Sequence, residues 1–251
     1  MTFQPCFLVP VYNHPRSVGT VVQHLARHAL PIYVVDDGSD AETRGVLAEL
    51  AAQQPLVRLI RLPVNSGKGA AVMAGARRAA ADGLSHALQV DADGQHDLDD
   101  APRFLQLGRD HPTAVVSGVP VYDTSVPRSR LYSRYLTHFW VWIETLSLRI
   151  GDSMCGFRLY PLAATLRVID GASLARRMAF DIEIIVRLAW LGLPVINVPT
   201  RVTYPLDGVS HFRMLRDNLQ ISATHTKLVA RMLYSFPLIL WRRFHPLGAT
   251  P

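Results

Sequence analysis

Short apolar runs alternate with longer segments of helical periodicity through the first half of the chain. The apolar runs predict strands at 7–11, 32–35, 57–62, 86–90 and 113–117. The longer segments predict helices at 15–30, 41–53 and 69–81. Short strands separated by helices are typical of a mostly parallel sheet with both faces covered. The pattern therefore predicts the α/β fold class.

The second half of the chain is less regular. Residues 119–130, rich in proline and short polar side chains, predict a loop, and helices are predicted at 131–150 and 180–191. A strand is predicted at 195–202. From residue 212 onward, apolar and basic residues interleave as in an amphipathic helix. Such a helix fits a membrane interface or the surface of the domain, and we favour the membrane interface.

Composition places the chain among globular proteins, because 49% of its 251 residues are hydrophobic and only 18% are charged. The two cysteines, Cys6 and Cys155, form no disulfide framework and no metal-ligand motif, which favours the cytosol. The first residues lack a signal-peptide pattern, and no stretch reaches the roughly 18 apolar residues of a spanning helix. We therefore expect a cytoplasmic protein.

The net charge of +6 comes from an excess of basic residues after residue 120. A solvated basic surface is one interpretation, and a surface for anionic lipid or a phosphate-bearing substrate is the other. Nucleic acid is disfavoured as a partner, because the chain has no recognition motif and no aromatic-basic stacking platform.

Polar clusters follow three of the predicted strands. They are Tyr12-Asn13-His14, Asp36-Asp37-Gly38-Ser39 and Asp91-Ala92-Asp93. In open parallel sheets, ligands bind at the carboxyl ends of the strands. The sequence therefore predicts a binding site at this edge of the sheet.

Asp91 and Asp93 can converge on one cation, because Gly94 lets the chain turn directly after the strand. A Mg²⁺ or Mn²⁺ ion held by few carboxylates keeps coordination positions for substrate phosphates. Such an ion would neutralise a diphosphate leaving group. An acidic surface turn is the alternative, since D-x-D is a weak signal when it stands alone.

Two further segments carry candidate chemistry. Lys68 stands in a Gly-rich turn at a helix start, where it can approach an anionic group, although the turn is not a Walker A loop. Asp181 and Glu183 lie within an apolar helical pattern, and residues two apart do not share a helix face. A buried acid there would be a functional candidate, and an acidic first turn complementing the helix dipole is the alternative.

The order of these segments is more specific than any one of them. Pro10-Val11-Tyr12-Asn13, Val35 to Ser39, Asn65 to Gly69 and Val90 to His96 resemble an inverting family 2 glycosyltransferase. The chain is most similar to the polyprenyl- and dolichol-phosphate mannosyl- and glucosyltransferases. Asp152 to Arg158, Phe180 to Glu183 and Gly208 to Ser210 extend the resemblance. It implies the GT-A fold.

The resemblance also implies roles for individual residues. The nucleotide of a nucleotide-sugar donor would contact Pro10, Tyr12, Asn13, Asp36, Asp37, Lys68, Asp91 and Ala92. Mg²⁺ or Mn²⁺ would be held by Asp91, Asp93 and Gln95. Arg130 and Arg158 would face the acceptor phosphate or the donor diphosphate. The segment 1–118 would form the nucleotide-sugar half and 119–210 the acceptor half of one domain, followed by an amphipathic tail at 211–251.

The first departure from the family pattern, at His14, concerns the nucleotide, and the others concern the acceptor side. His14 stands where the family often has Glu, and Arg is absent after Ser117-Gly118. Pro205 and His211 replace basic residues that are usual around the late glycine. If the acceptor is a hydroxyl, a general base is needed, with Asp181 slightly ahead of Glu183. A phosphate acceptor is already anionic and needs none.

We therefore expect metal-dependent transfer of a hexose from a UDP- or GDP-linked sugar to a lipid phosphate or a lipid-like hydroxyl. The protein would lie peripherally on the inner face of the cytoplasmic membrane, and a second copy of the chain is an alternative partner for its aromatic helix and tail. A non-catalytic module that binds sugar nucleotides or membranes is the rival interpretation. The D-x-D-x-Gln set argues against it.

Overall fold

The computed structural model describes residues 2–122, 128–203 and 214–244, excluding the side chains of 122, 128–133, 214–217 and 243–244. The strands are β1 (Pro5–Val11), β2 (Ile32–Asp36), β3 (Val57–Arg61), β4 (His86–Gln89), β5 (Val115–Tyr122), β6 (Arg158–Pro161) and β7 (Val195–Val202). The helices are α1 (Val18–Ala26), α2 (Ala41–Gln53), α3 (Lys68–Ala81), α4 (Ala101–Asp110), α5 (Arg128–Thr145), α6 (Leu162–Gly171), α7 (Phe180–Trp190) and α8 (Met214–Phe244).

The strands form one seven-stranded sheet in the order β3-β2-β1-β4-β6-β5-β7. All neighbouring strands are parallel except β6, which is antiparallel to both β4 and β5. The predicted α/β class with a mostly parallel sheet flanked by helices is confirmed. The predicted division at residue 118 falls within β5, so both predicted halves contribute to one sheet. The predicted boundary at 210 lies outside the described residues.

Apolar residues on both faces of the sheet bury the helices against it. One core cluster joins the sheet to α1, α2 and α4, and a second joins the opposite face to α3, α6 and α7. Alanine and glycine let α3 approach the strands closely, since a Cβ on Gly75 would lie 2.1 Å from Leu8 Cδ1. The sheet is therefore covered on both faces, as expected for parallel strands.

A third core cluster joins α5, α7 and α8. The C-terminal segment is one long helix whose inner side is buried through Ile221, Leu228, Met232 and Ile239. Its other side exposes apolar residues, Leu233 and Tyr234 among them. Packing of the predicted amphipathic helix on the domain is therefore confirmed, and the membrane-interface interpretation stays a prediction. None of the helices within the described residues is long and apolar enough to cross a membrane.

Several predicted boundaries were wrong. Helix α1 is shorter than 15–30, and β5 continues to Tyr122 into the predicted loop at 119–130. Helix α5 begins at Arg128 and ends at Thr145, before the predicted end at residue 150. The sequence pattern also missed α4, β6 and α6. Strand β6 has only four residues and contains a fully buried arginine, so it shows no strand periodicity.

Candidate active site

The carboxyl ends of β2, β1 and β4 lie side by side, because these three strands are parallel neighbours. The polar clusters that follow them therefore share one edge of the sheet, as predicted. Helix α3 begins at this edge with Lys68, and α7 begins there with Phe180 and Asp181. Five elements thus supply side chains to one edge of the sheet.

The centre of the site is an ion triad that joins residues from three of these segments. Lys68 Nζ lies 2.9 Å from Asp91 Oδ1 and 2.8 Å from Asp181 Oδ2. The Lys68 side chain is 15% exposed and that of Asp181 is 3% exposed. Gln89 Nε2 donates a 3.3 Å hydrogen bond to the other oxygen of Asp181, from the end of β4. The sequence placed these residues near one ligand, but not in contact with one another.

Electrostatics favours the charged forms of Asp91 and Lys68. Burial disfavours the ionised form of Asp91, but the ammonium of Lys68 holds the pKa of that carboxyl well below its usual range. Burial likewise disfavours the ammonium of Lys68, and Asp181 and Asp91 together raise its pKa above the usual value. Lys68 therefore acts as an internal counter-ion to the two carboxylates.

Asp93 lies beside the triad without such a counter-ion. Gln95 N donates a 3.0 Å hydrogen bond to Asp93 Oδ1, and Gly94 makes the turn between them with a φ of 73°. Burial and then the negative charge of Asp91 raise the pKa of Asp93 above its usual value. The fold therefore holds two carboxylates close together while compensating only Asp91 directly.

The oxygens of Asp91, Asp93 and Gln95 are the donor type that Mg²⁺ and Mn²⁺ prefer. Within the described ranges, no three His, Cys, Asp or Glu side chains are arranged as a complete metal site. The donor set therefore fits a hard cation whose remaining ligands come from outside the protein, such as phosphate oxygens. An uncompensated carboxylate at Asp93 fits the same interpretation.

Two neighbours that the sequence had not singled out hold Asp91 in place. A Cβ on Gly156 would lie 2.2 Å from Asp91 Oδ2, so only glycine leaves room for the carboxylate. His96 Nε2 lies 3.8 Å from the same oxygen, and its ring stacks on Phe157 at 5.4 Å between centroids. The sequence could not show that the Gly-Phe-Arg segment lies beside Asp91, because 65 positions or more separate the two along the chain.

The turn that carries Gly156 is tied to α5 through Asp152. The buried carboxylate of Asp152 accepts hydrogen bonds from Met154 N at 2.8 Å and Cys155 N at 2.7 Å. It also pairs with the guanidinium of Arg134 and lies 3.3 Å from His138 Nε2. Burial opposes ionisation, but the hydrogen bond from His138 and the charge of Arg134 lower the pKa of Asp152.

Asp37, for which the resemblance implies a nucleotide contact, binds the loop before α3. Its Oδ1 accepts from Ser66 N at 2.7 Å, and its Oδ2 accepts from Gly67 N at 2.8 Å and from Asn65 Nδ2 at 3.1 Å. Burial raises the pKa of this carboxyl. A buried carboxylate needs such partners, and backbone amides of the loop supply them.

The remaining predicted nucleotide residues shape the ends of β1, β2 and β4. Asp36 Oδ1 accepts a hydrogen bond from Ser39 N at 2.9 Å, so this carboxylate also has a partner within the protein. Asn13 has a φ of 54°, and its side-chain oxygen accepts from Asp40 N at 2.9 Å. Asp40 caps α2 by accepting a hydrogen bond from Thr43 N.

Two of the predicted contact residues are buried, and one lies beside them. Pro10 is buried in β1, and the half-buried Tyr12 is the first residue after that strand. Ala92 is 2% exposed, and its carbonyl accepts a 2.7 Å hydrogen bond from Ser17 Oγ. A nucleotide contact from Ala92 would therefore come from its backbone. Roles for these residues remain predictions.

Arg158 does not face a ligand, contrary to expectation. It is fully buried, and its guanidinium donates to Ser117 Oγ at 3.1 Å, to the Asp181 carbonyl at 2.8 Å and to the Ser153 carbonyl at 3.2 Å. With a further bond to Tyr160 Oη at 3.4 Å, they occupy four of its five N–H donors and fix the start of α7. Arg130 lies in α5, and its side chain is outside the described part of the chain.

Glu183 lies away from the triad, so its candidacy as a base is not supported. It is 1% exposed, accepts from Ala175 N at 2.7 Å, and pairs with Arg187 at 2.8 Å and Lys227 at 3.1 Å. The prediction that Asp181 and Glu183 occupy different helix faces is therefore correct. Both faces are buried, although one was expected to meet solvent.

Comparison with known proteins points to one family. A family model described as Glycosyl transferase family 2 matches residues 6–180. The chain is 26% identical to a dolichyl-phosphate beta-glucosyltransferase of Dictyostelium discoideum, over 94% of this chain and 75% of the relative. It is 30% identical to an undecaprenyl-phosphate mannosyltransferase of Micrococcus luteus, over 76% of this chain and 80% of the relative.

Solved structures share the fold at low sequence identity. Glucosyl-3-phosphoglycerate synthase from Mycobacterium tuberculosis, crystallised with Mn²⁺ and UDP-glucose, superposes with a TM-score of 0.63 at 15% identity, over 92% of this chain and 78% of that one. Mannosyl-3-phosphoglycerate synthase from Rubrobacter xylanophilus gives a TM-score of 0.65 at 16% identity, over 99% of this chain and 79% of that one. These likenesses show the fold alone.

Proposed function

Because this chain belongs to glycosyl transferase family 2, we propose that it transfers a hexose, with inversion, from a UDP- or GDP-linked sugar to the phosphate of a polyprenyl-type lipid. The family match confirms the predicted family and the predicted enzyme class. The rival interpretation as a non-catalytic module has no observation in its favour. Lipid phosphates are named as acceptors for the relatives from Dictyostelium discoideum and Micrococcus luteus.

The donor side of the proposal rests on the carboxylates at the end of β4. Asp91, Asp93 and Gln95 would hold Mg²⁺ or Mn²⁺ together with the donor diphosphate. When bound, the ion would neutralise the charge that develops on the leaving diphosphate. Asp93 would contribute most to this binding, because its carboxylate lacks the lysine partner of Asp91.

Lys68 serves this site by positioning other groups. Its ammonium favours the ionised form of Asp91 and holds Asp91 and Asp181 at a fixed distance from each other. Gly156 and His96 limit the movement of Asp91 from the opposite side. A site held this rigidly reduces the reorganisation needed when the donor binds.

The single observation that carries the choice of acceptor is the pairing of both candidate bases. Asp181 is 3% exposed and paired with Lys68, while Glu183 is 1% exposed and paired with Arg187 and Lys227. Neither carboxylate is placed to take a proton from an acceptor hydroxyl. A phosphate acceptor is already anionic and needs no base, so this geometry favours a lipid phosphate over a lipid-like hydroxyl.

We place the reaction at the inner face of the cytoplasmic membrane, with the protein bound peripherally. Helices α5 and α8 pack on each other through a shared core. Both expose large apolar side chains, including Tyr135, Leu136, Phe139, Leu233, Tyr234 and Trp241. Exposed aromatic and aliphatic residues on amphipathic helices are typical of membrane interfaces.

A transfer assay in detergent tests the proposal. The purified chain is incubated with UDP-glucose or GDP-mannose, with Mn²⁺ or EDTA, and with either a polyprenyl phosphate or the matching polyprenol. We expect a glycosylated product with the phosphate, with one nucleotide and with Mn²⁺ only. Equal transfer to the polyprenol would contradict the acceptor assignment, and full activity in EDTA would contradict the metal assignment. Calorimetric titration with UDP and GDP identifies the nucleotide independently of turnover.

A further inference from the structure

A cavity lined by basic residues lies between α6, α7 and α8, away from the strand ends. Its volume is about 250 Å³. Its lining includes Arg167, Arg187, Arg231, Arg242, Trp190 and Leu238. None of the described residues that line it is acidic. Four guanidinium groups around one small volume create a positive potential that attracts an anion.

Two of these arginines are fixed parts of the wall. Arg187 Nη2 lies 2.8 Å from Glu183 Oε1, and its guanidinium lies 5.9 Å from the centre of the Trp190 ring. Arg242 Nη1 donates a 3.2 Å hydrogen bond to the Trp190 carbonyl. Both interactions suit the C-terminal end of α7, where the helix dipole favours positive charge. The helix end therefore accounts for this pair.

The other two arginines have no such explanation. Arg167 is exposed and precedes the last turn of α6, and Arg231 is exposed in the middle of α8, beside the Tyr234 ring at 5.8 Å. The nearby Asp170 does not line the cavity and pairs with Arg77 at 2.9 Å. Glu183 neutralises the charge of Arg187, but the other three arginines have no acidic partner among the residues that line the cavity.

Apolar side chains belong to the same lining. Trp190, Leu238 and Ile239 line the cavity, and the exposed ring of Tyr234, beside Arg231, extends this apolar rim. A free anion would use only the arginines. A ligand that carries a phosphate and an acyl chain would use both the charged lining and the apolar rim, and guanidinium groups bind phosphate oxygens well.

We propose that this cavity binds the phosphate of an anionic membrane phospholipid, which is not consumed in the reaction. Asp181 begins α7 and Trp190 ends it, so the cavity lies a helix length, roughly 14 Å, from the triad. The lipid would orient α8 on the membrane surface. This inference rests on the membrane placement proposed above and adds the class of lipid that is recognised.

Vesicle flotation of the full chain tests the inference. The double variant Arg167→Gln/Arg231→Gln leaves the two structural arginines in place, and the control Arg27→Gln/Arg103→Gln removes two exposed charges from α4 and the end of α1, on the opposite face of the sheet. Vesicles contain phosphatidylcholine alone or with phosphatidylglycerol. We expect the first variant to lose affinity for phosphatidylglycerol vesicles on the order of tenfold, and the control to lose far less.

Two outcomes would overturn the inference. An equal loss in both double variants would mean that net charge alone attracts the protein to the vesicles. Calorimetry in which inorganic phosphate binds as tightly as a soluble short-chain phosphatidylglycerol would exclude a lipid-specific site. Transfer to a short-chain acceptor in detergent should be unchanged in the Arg167→Gln/Arg231→Gln variant. This measurement separates failure of the lipid site from failure of the proposed reaction.

Discussion

At the scale of single residues, the acidic side chains of the site differ in their ionic partners. Asp91 and Asp181 share the ammonium of Lys68, whereas Asp93 has a raised pKa and lacks that partner. A carboxylate whose pKa is raised in the folded state destabilises that state when it is ionised. Retaining such a residue beside a second carboxylate is typical of a ligand site, where the bound cation supplies the missing charge.

Substituting Asp93 with alanine should therefore separate activity from stability. We expect kcat/KM for transfer to fall roughly a hundredfold or more, because charge stabilisation by a bound metal is worth several kcal/mol. Unfolding in urea should show equal or slightly greater stability, since an unfavourable buried charge is removed. The control is Asp99→Ala, an exposed carboxylate paired only with His24, which should leave both properties unchanged. Unchanged turnover in Asp93→Ala would remove Asp93 from the reaction.

Gly156 offers a second test at this scale. A methyl group there would lie 2.2 Å from Asp91 Oδ2, so Gly156→Ala should displace the carboxylate. We expect transfer to fall roughly ten- to a hundredfold, because small misplacements of catalytic groups are costly. Gly45→Ala is the matched control, since a Cβ at Gly45 meets nothing within 4 Å. If Gly156→Ala keeps wild-type kinetics, the contact does not position Asp91.

At the scale of elements, the turn between α5 and β6 holds residues of the site in position. Its carboxylate, Asp152, bonds to the backbone of the turn and to Arg134 of α5. The turn then brings Gly156 against Asp91, and β6 places Arg158 beneath the start of α7. The four-residue antiparallel strand β6 thus connects the two parts of the sheet and holds the start of α7 in position.

The ionic part of this connection predicts a pH dependence. The lowered pKa of Asp152 means that its stabilisation is complete above about pH 4, the unfolded value, and disappears as the pH falls through the folded value. Asp152→Asn should cost about 2–3 kcal/mol at neutral pH, and the difference from wild type should shrink in acid. Urea unfolding across this pH range measures the difference. The control is Asp170→Asn, which removes one partner of the exposed ion pair with Arg77 and should change stability by less than about 0.5 kcal/mol. A penalty that does not vary with pH would show that packing, not charge, is lost.

At the scale of the whole molecule, α5 and α8 together carry an exposed apolar surface. The buried side of α8 joins the domain, and the pair Glu144–His225, at 2.7 Å, links α5 to α8 inside that contact. The exposed side is therefore presented by a firmly docked helix and not by a free tail. This arrangement suits a protein that lies on a membrane while its active site meets a lipid phosphate.

Neutral vesicles test the apolar contribution alone. Tyr234 is 82% exposed on α8, and Tyr234→Ser should weaken binding to phosphatidylcholine vesicles about tenfold, given the transfer free energy of a large side chain. Leu148→Ser is the control, because Leu148 is 76% exposed but lies outside both helices. Both variants should unfold like the wild type. Equal weakening in the two variants would argue against docking through α8.

The sequence by itself determined the α/β class, the strand ends that carry the site, and the family. These follow from local patterns: buried strands are apolar, Asp40 caps α2, and D-x-D motifs follow a strand. It could not determine β6, because a four-residue strand containing a buried arginine has no local periodicity.

Only the tertiary structure decided which charged side chains remain for a ligand. Lys68 and Asp181 are 113 positions apart along the chain (181 − 68) but 2.8 Å apart in the fold. Asp37, Arg158 and Glu183 appear in motif positions equally suited to ligands, yet their partners are backbone groups and distant side chains. The physical reason is that burial and Coulomb energy depend on distance in space, and a motif contains no record of which distant residue will neutralise its charge.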